Sequence, residues 1–154
     1  MHNMKYADRY IHVLKLVTVI SFLLIYAAGD KFGVFAFMML LLYPFVIADG
    51  STNLFSLDLP APAVILVDFS YLLATYFFVI YIMRSAIRRK NDRSANMLTI
   101  CGIVIFYIYP VKVLLTSDNS SFSIITIILF FLTSLATLGT ILFTPKEKYQ
   151  VLEN

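Results

Sequence analysis

Long apolar blocks are the feature of this sequence that most limits its fold. The longest covers residues 122–144 and contains no charged side chain. At about 1.5 Å per residue, a helix of this length reaches roughly 34 Å, which exceeds the hydrocarbon core of a bilayer at about 30 Å. Backbone N–H and C=O groups find no water inside lipid, so this block is expected to be a membrane-spanning α-helix.

The composition of the whole chain agrees with a lipid environment. Of its 154 residues, 60% are hydrophobic and only 14% are charged, whereas soluble domains carry about 25% charged residues. The mean hydropathy is +0.86. The apolar residues form blocks and do not alternate with polar ones, which disfavours a β-barrel. The sequence therefore predicts an all-α integral membrane protein, with residues 1–154 as a single transmembrane domain.

Five hydrophobic segments are expected to form helices and to pack as a compact bundle. They cover residues 11–28, 32–48, 63–83, 97–116 and 122–144. The third and fifth segments are long enough to span the hydrocarbon core, and the fourth just reaches this length. The first two would extend only roughly 27 and 26 Å, so they are marginal spans. The longest loop, residues 49–62, ends in two prolines that set the start of the third segment.

The basic residues predict which ends of the helices face the cytoplasm. Loop 84–96 contains five of the twelve Lys and Arg of the chain, namely Arg84, Arg88, Arg89, Lys90 and Arg93. Positive residues near span ends stay cytoplasmic, because their transfer across the membrane is disfavoured and the inner leaflet is anionic. Two spans later Lys146 and Lys148 return to the same side, so the C-terminus is also predicted to be cytoplasmic.

The N-terminal part of the chain leaves two threadings open. If both of the first two segments cross, the N-terminus lies outside together with Lys5 and Arg9, and Lys15 follows just inside the first helix. This arrangement opposes the positive-inside tendency. If only one segment crosses, the N-terminus is cytoplasmic and the tendency is satisfied everywhere. The other segment would then be a half-buried or interfacial helix. The predicted number of spans is therefore four or five, with five preferred.

A charge within a predicted span is costly and calls for a functional hypothesis, and two ionisable residues qualify best. Asp68 and Lys112 fall at similar depth on successive antiparallel helices, so a buried ion pair between them is predicted as one possibility. In the other interpretation, each charge reaches the headgroups separately. Tyr71 and Thr75 extend a polar stripe along the helix of Asp68.

Tyrosines on the next helix extend this hypothesis. Together with Tyr71 and Thr75, Tyr107 and Tyr109 would line a small polar cavity that opens outward. The competing interpretation is that these tyrosines lie at the headgroups or hydrogen-bond neighbouring helices, as intramembrane tyrosines commonly do.

Small residues on the fifth segment predict a face for close helix packing. Thr133, Ala136, Thr137 and Thr140 follow a three-to-four-residue spacing, which aligns them on one side of a helix. Small side chains at such spacing let a second helix approach closely in lipid. The second helix would belong either to the same bundle or to a partner subunit.

No recognisable catalytic or ligand-binding motif is present in the sequence. The two histidines, His2 and His12, both lie near the N-terminus, so neither a metal site nor a haem site is predicted. No serine or cysteine stands near a histidine base, and no phosphate-binding glycine motif occurs. We therefore expect no enzymatic activity and no cofactor. The pI is near 9.0 because basic residues are in excess. These residues border hydrophobic segments, so we attribute them to anchoring at anionic lipid headgroups and not to nucleic-acid binding.

These observations predict a multi-pass protein of the cell membrane, or of the inner membrane if the source is bacterial. The expected function is that of an accessory, assembly, regulatory or immunity-type subunit that contacts another membrane protein or a second copy of itself. In architecture alone the chain resembles immunity proteins that protect against pore-forming toxins, and it is similar to many small polytopic bacterial membrane proteins. The alternative is a small oligomeric ion channel or carrier that uses Asp68 and Lys112.

Overall fold

The computed structural model describes residues 2–27, 34–48, 61–116 and 121–143, and these residues are almost entirely helical. The helices are α1 (His2–Leu23), α2 (Ala36–Ala48), α3 (Ala61–Ile87), α4 (Arg93–Thr116) and α5 (Ser121–Phe143). Two short strands, β1 (Tyr26–Ala27) and β2 (Val34–Phe35), lie between α1 and α2. The predicted set of five helices is therefore confirmed for the described part of the chain.

Three of these helices are long and apolar enough to cross a membrane. Their apolar stretches are Pro62–Ile87, Arg93–Leu115 and Ser121–Phe143. In α1 the apolar stretch is shorter and covers only Tyr10–Leu23. The class predicted from the sequence, a helical membrane protein, agrees with this finding.

The first two segments differ most from their predicted bounds. Helix α1 begins at His2, well before the predicted start at residue 11, because polar side chains do not interrupt a helix whose backbone bonds are local. It ends at Leu23, after which Tyr26 and Ala27 pair with Phe35 and Val34 in an antiparallel hairpin. The chain reverses direction there, which shortens both predicted apolar helices.

The direction of α1 relative to α5 follows from polar contacts along their length. Thr18 and Thr137 share a hydrogen bond of 2.7 Å between their hydroxyl oxygens. In β1, just beyond the end of α1, the backbone N–H of Tyr26 donates to the Thr126 hydroxyl at 3.2 Å. Residue numbers thus rise on α1 as they fall on α5, so the two helices are antiparallel.

The contacts of α1 with α3 and with the α3–α4 turn show how α1 runs relative to α3. Lys15, in the C-terminal half of α1, donates to the Lys90 carbonyl in the turn that joins α3 to α4. Seven residues later, Phe22 lines a cavity together with Leu72, in the middle of α3. Helices α1 and α3 are therefore antiparallel, and the N-terminal end of α1 lies at the same end of the bundle as the α3–α4 turn.

Aromatic rings fill the centre of the bundle. The ring of Phe22 stacks on Phe106 of α4, with 4.3 Å between ring centroids, and packs at 5.8 Å against Phe130 of α5. All three side chains are buried. In lipid, exclusion of water does not distinguish inside from outside, so close packing of this kind supplies much of the association between helices.

Candidate functional site

The turn between α3 and α4 has a well-defined backbone conformation. Helix α3 ends with the N–H of Lys90 donating to the Ser85 carbonyl at 2.9 Å and the N–H of Arg89 donating to the Ala86 carbonyl at 3.1 Å. This pair of bonds is the Schellman pattern, which requires a left-handed residue just beyond the helix. Arg89 adopts that conformation, with φ of 52°. Glycine is favoured at such a position because it has no Cβ.

The start of α4 is capped by side chains. The Asp92 Oδ1 atom accepts a hydrogen bond from the backbone N–H of Ala95 at 2.7 Å, which satisfies one of the free N–H groups of the first turn. The Asn96 amide donates to Asn91 Oδ1 at 2.9 Å. Both helix ends that meet at the turn are thus held by specific hydrogen bonds.

Lys15 of α1 is the centre of the most extensive polar cluster among the described residues. Its side chain is 0% exposed, and its Nζ donates to Asn96 Oδ1 at 2.9 Å and to the Lys90 carbonyl at 3.2 Å. The ammonium group also interacts electrostatically with Asp92. It lies at the C-terminal end of α3, where the helix dipole is negative. Lys15 therefore fastens α1 to the α3–α4 turn.

Lys15 belongs to a stripe of polar residues that runs along α1 and faces the interior. The buried polar residues of this helix occur at every third position: His12, Lys15, Thr18 and Ser21. From Tyr10 onward its exposed residues are large and hydrophobic: Tyr10, Val13, Val17 and Ile20. A helix in water has the opposite arrangement. Apolar residues outside and polar residues inside are typical of a helix surrounded by lipid.

The burial of Lys15 was not predicted from the sequence, where this residue counted only as a positive charge that affects how the chain is oriented in the membrane. The three-residue spacing of polar side chains on an otherwise apolar helix was the available signal. This spacing indicates a polar face, but it does not say whether that face meets headgroups or other helices.

Hydroxyl groups connect α1 to the predicted packing face of α5. Ser21 and Thr133 share a hydrogen bond of 2.7 Å, and the Thr18 hydroxyl donates to the Thr133 carbonyl at 3.1 Å. Thr137 also contacts Thr18, as described above. Of the four predicted residues, Thr133 and Thr137 therefore meet α1. Ala136 is exposed, and the Thr140 hydroxyl donates to the Ala136 carbonyl at 2.7 Å.

Asp68 and Lys112 lie on adjacent antiparallel helices, α3 and α4. Asp68 is 1% exposed, and Lys112 is partly buried. The two charges are near enough to interact electrostatically. An ion pair between them stays a prediction.

A small cavity of about 20 Å³ lies between α1, α2, α3 and α4. Three of the predicted polar residues, Tyr71, Thr75 and Tyr109, line it together with apolar side chains such as Phe22 and Leu40. Tyr107 points elsewhere: its hydroxyl shares a 2.7 Å hydrogen bond with Ser134 of α5. Tyr107 thus hydrogen-bonds a neighbouring helix, and a polar cavity that opens outward stays a prediction.

The five predicted orienting residues, Arg84, Arg88, Arg89, Lys90 and Arg93, are all exposed at the α3–α4 turn. Lys146 and Lys148, predicted to be cytoplasmic, lie outside the described residues. Within the described ranges, no three His, Cys, Asp or Glu side chains come together as a metal site would require.

The three long apolar helices, together with the polar interior and apolar exterior of α1, are consistent with a multi-pass helical membrane protein. Comparison with known proteins gives no more specific assignment, since no protein-family model, curated protein or solved structure matches this chain.

Proposed function

We propose that the protein acts without catalysis, as an accessory, assembly, regulatory or immunity-type subunit that binds another membrane protein or a second copy of itself. The observation that carries this proposal is the use of the interior polar groups. Lys15, Thr18 and Ser21 on α1 and Tyr107 on α4 each bond to a neighbouring helix or turn. These contacts join one helix to another and so hold the bundle together.

The size of the interior cavity supports the same proposal. About 20 Å³ is room for roughly one water molecule, and several of its walls are apolar. A carrier needs a site that encloses its substrate, and ligand pockets are typically larger by an order of magnitude. This cavity is therefore too small to serve as the substrate site of a carrier.

A channel or carrier is the second candidate function, and Asp68 is the observation in its favour. An aspartate buried inside a candidate span is costly and is found mainly where ions or protons move or where a charge pairs. An ion pair between Asp68 and Lys112, which stays a prediction, would be a structural explanation for both residues. This explanation requires no ion flux, so transport ranks second.

Two measurements on the full-length protein separate these functions. After mild solubilisation of native membranes, we expect the chain to co-purify with a stoichiometric membrane partner or as a defined oligomer. After reconstitution in liposomes, we expect no ion flux above that of protein-free vesicles, either for the original chain or for the matched Asp68→Asn variant. Flux that disappears on Asp68→Asn, without a partner, would establish the second candidate instead.

We also infer that the chain crosses the membrane four times, through α1, α3, α4 and α5. Helix α2 does not cross, so it begins and ends on the same side of the membrane. Three consecutive crossings would make α1 and α3 parallel, whereas their contacts are antiparallel. The distribution of charge supports this threading. Eight of the nine Lys and Arg in the described ranges lie at the end of the bundle that includes the α3–α4 turn, and Lys112 is the exception. That end is then cytoplasmic and includes the N-terminus.

Cysteine labelling tests the threading directly. In a Cys101→Ser background, Asn3→Cys and Lys90→Cys are expected to react with a membrane-impermeant maleimide only in inverted vesicles. Thr52→Cys is expected to react only in intact cells. Both threadings predict the same result for positions 52 and 90, so these serve as controls. Labelling of position 3 from outside intact cells would establish five crossings.

A further inference from the structure

We propose that the α3–α4 turn binds anionic phospholipid headgroups and that it prefers lipids with two phosphate groups over lipids with one. The site consists of the basic turn, defined as Arg84, Arg88, Arg89, Lys90 and Arg93. This inference goes beyond the proposed function, because it concerns a lipid ligand and holds whether or not a protein partner exists.

The charges of the basic turn are available for a ligand. All five side chains are exposed. The acidic residue within the turn, Asp92, uses Oδ1 to cap α4 and interacts with the buried Lys15 ammonium. Asp92 is also exposed, but its carboxylate caps α4 and interacts with Lys15, and the five positive charges of the turn outnumber it.

The hydrogen bonds of the turn restrain the backbone positions from which these charged side chains extend. The two bonds that end α3, the Asp92 cap on α4 and the anchor from Lys15 restrain the backbone that carries all five residues. A preorganised site loses less conformational entropy when it binds a ligand than a flexible loop does. This arrangement distinguishes the basic turn from a disordered basic tail.

The turn also lies where lipid phosphates are found. The candidate span in α3 ends at Ile87 and the one in α4 begins at Arg93, so the turn follows one hydrocarbon-length helix and precedes another. Residues at such a boundary are at headgroup level. An anionic headgroup is therefore the phosphate source that this position favours.

The spacing of two arginines favours a headgroup with two phosphates. The N–H of Arg88 donates to the Arg84 carbonyl at 2.9 Å, so the two residues are one helical turn apart and share a face. A guanidinium group binds phosphate with two parallel hydrogen bonds. Two guanidinium groups on one face can therefore bind two phosphates of one lipid at the same time, which raises the apparent affinity.

Lipid titration of the purified full-length protein tests this proposal. In detergent micelles, binding is measured by native mass spectrometry with phosphatidylcholine, phosphatidylglycerol, cardiolipin (diphosphatidylglycerol) and inorganic phosphate as separate probes. We expect cardiolipin to bind more tightly than phosphatidylglycerol, and both to bind more tightly than phosphatidylcholine. Inorganic phosphate is expected to bind at least an order of magnitude more weakly than cardiolipin, because it engages only one phosphate position and lacks the acyl chains.

Substitutions connect this binding to the basic turn. The double variant Arg84→Gln/Arg88→Gln is expected to lose affinity for cardiolipin on the order of twenty-fold, at roughly five-fold for each charge removed. Arg89→Gly removes one charge but gives the left-handed position its favoured residue. This variant is expected to bind cardiolipin roughly five-fold more weakly, while its thermal stability stays equal or rises. If Arg89 had only a structural role, binding would not weaken in a variant of equal or higher stability. Lys112→Gln, which removes one charge at the other end of the bundle, is the matched control with unchanged binding.

Three outcomes would overturn the proposal. The first is equal binding of phosphatidylcholine and phosphatidylglycerol, which would leave no role for headgroup charge. The second is unchanged cardiolipin binding by a folded Arg84→Gln/Arg88→Gln variant. The third is inorganic phosphate binding as tightly as cardiolipin, which would indicate a site for free phosphate. None of these results depends on whether a protein partner is found.

Discussion

Gly102→Ala is expected to destabilise the bundle by about 1–3 kcal/mol, the usual range when atoms are added to a well-packed core. Gly102 is buried on α4 where this helix meets α3. A Cβ atom at this position would lie 2.8 Å from Ile82 Cδ1 and 3.0 Å from Phe78 Cβ. The end of the Ile82 side chain can rotate away. The Phe78 Cβ is fixed to its backbone, so the two helices must move apart.

Gly139→Ala is the matched control for this substitution. Gly139 also lies within a helix, α5, but a Cβ atom there would have no neighbour within 4 Å. Its replacement by alanine is expected to be neutral or to stabilise the protein by up to about 1 kcal/mol, since alanine has the higher helix propensity. Reversible unfolding in mixed micelles, followed by circular dichroism, measures both variants. If Gly102→Ala is as stable as Gly139→Ala, the close approach of α3 and α4 at this point is wrong.

Lys15→Met is expected to lower the free energy of unfolding by about 2 kcal/mol, because two acceptors lose a charged donor. These acceptors are the Lys90 carbonyl and the Asn96 side chain. Asn96→Leu is expected to cost a similar amount, about 2 kcal/mol, since the buried ammonium keeps only one of its two hydrogen bonds. The double variant should be more stable than the sum of the two losses implies, with a coupling of about 1–2 kcal/mol.

The exposed neighbour Lys90 supplies the control for this cycle. Lys90→Met makes the same chemical change as Lys15→Met but keeps the carbonyl that Lys15 contacts, so it is expected to change stability by less than about 0.5 kcal/mol. The measurement is again reversible unfolding in mixed micelles. Strict additivity of Lys15→Met and Asn96→Leu would mean that the contact between α1 and the turn contributes nothing to stability.

The structure agrees with the sequence-based prediction best where a helix is defined by its own composition. Helices α3, α4 and α5 contain the predicted segments 63–83, 97–116 and 122–144, apart from residue 144, which lies outside the described residues. Where one of these helices is longer than its predicted segment, it extends beyond the predicted end by at most a few residues. The hydropathy of such a block depends only on its own residues, so it can be summed without knowledge of the neighbours.

The candidate sites were predicted less completely, because their members come from different helices. Tyr71, Thr75 and Tyr109 were grouped from their positions on two successive helices, and all three line one cavity. Phe22 and Leu40 also line it, but they belong to helices whose placement the sequence left open. Tyr107 was grouped with them, although its hydroxyl bonds to Ser134 on α5. The partner of a polar group depends on the rotation of every adjacent helix.

The sequence by itself indicated lipid as the solvent of this protein and predicted the five helices found in its described residues. The unbroken apolar blocks require lipid, and lipid requires helices whose backbone groups are satisfied internally. The tertiary structure alone decided the direction of α1 and the burial of Lys15. A polar stripe on one helix has the same composition whether it faces headgroups or other helices, and only the positions of Lys90 and Asn96 across the bundle select the interior.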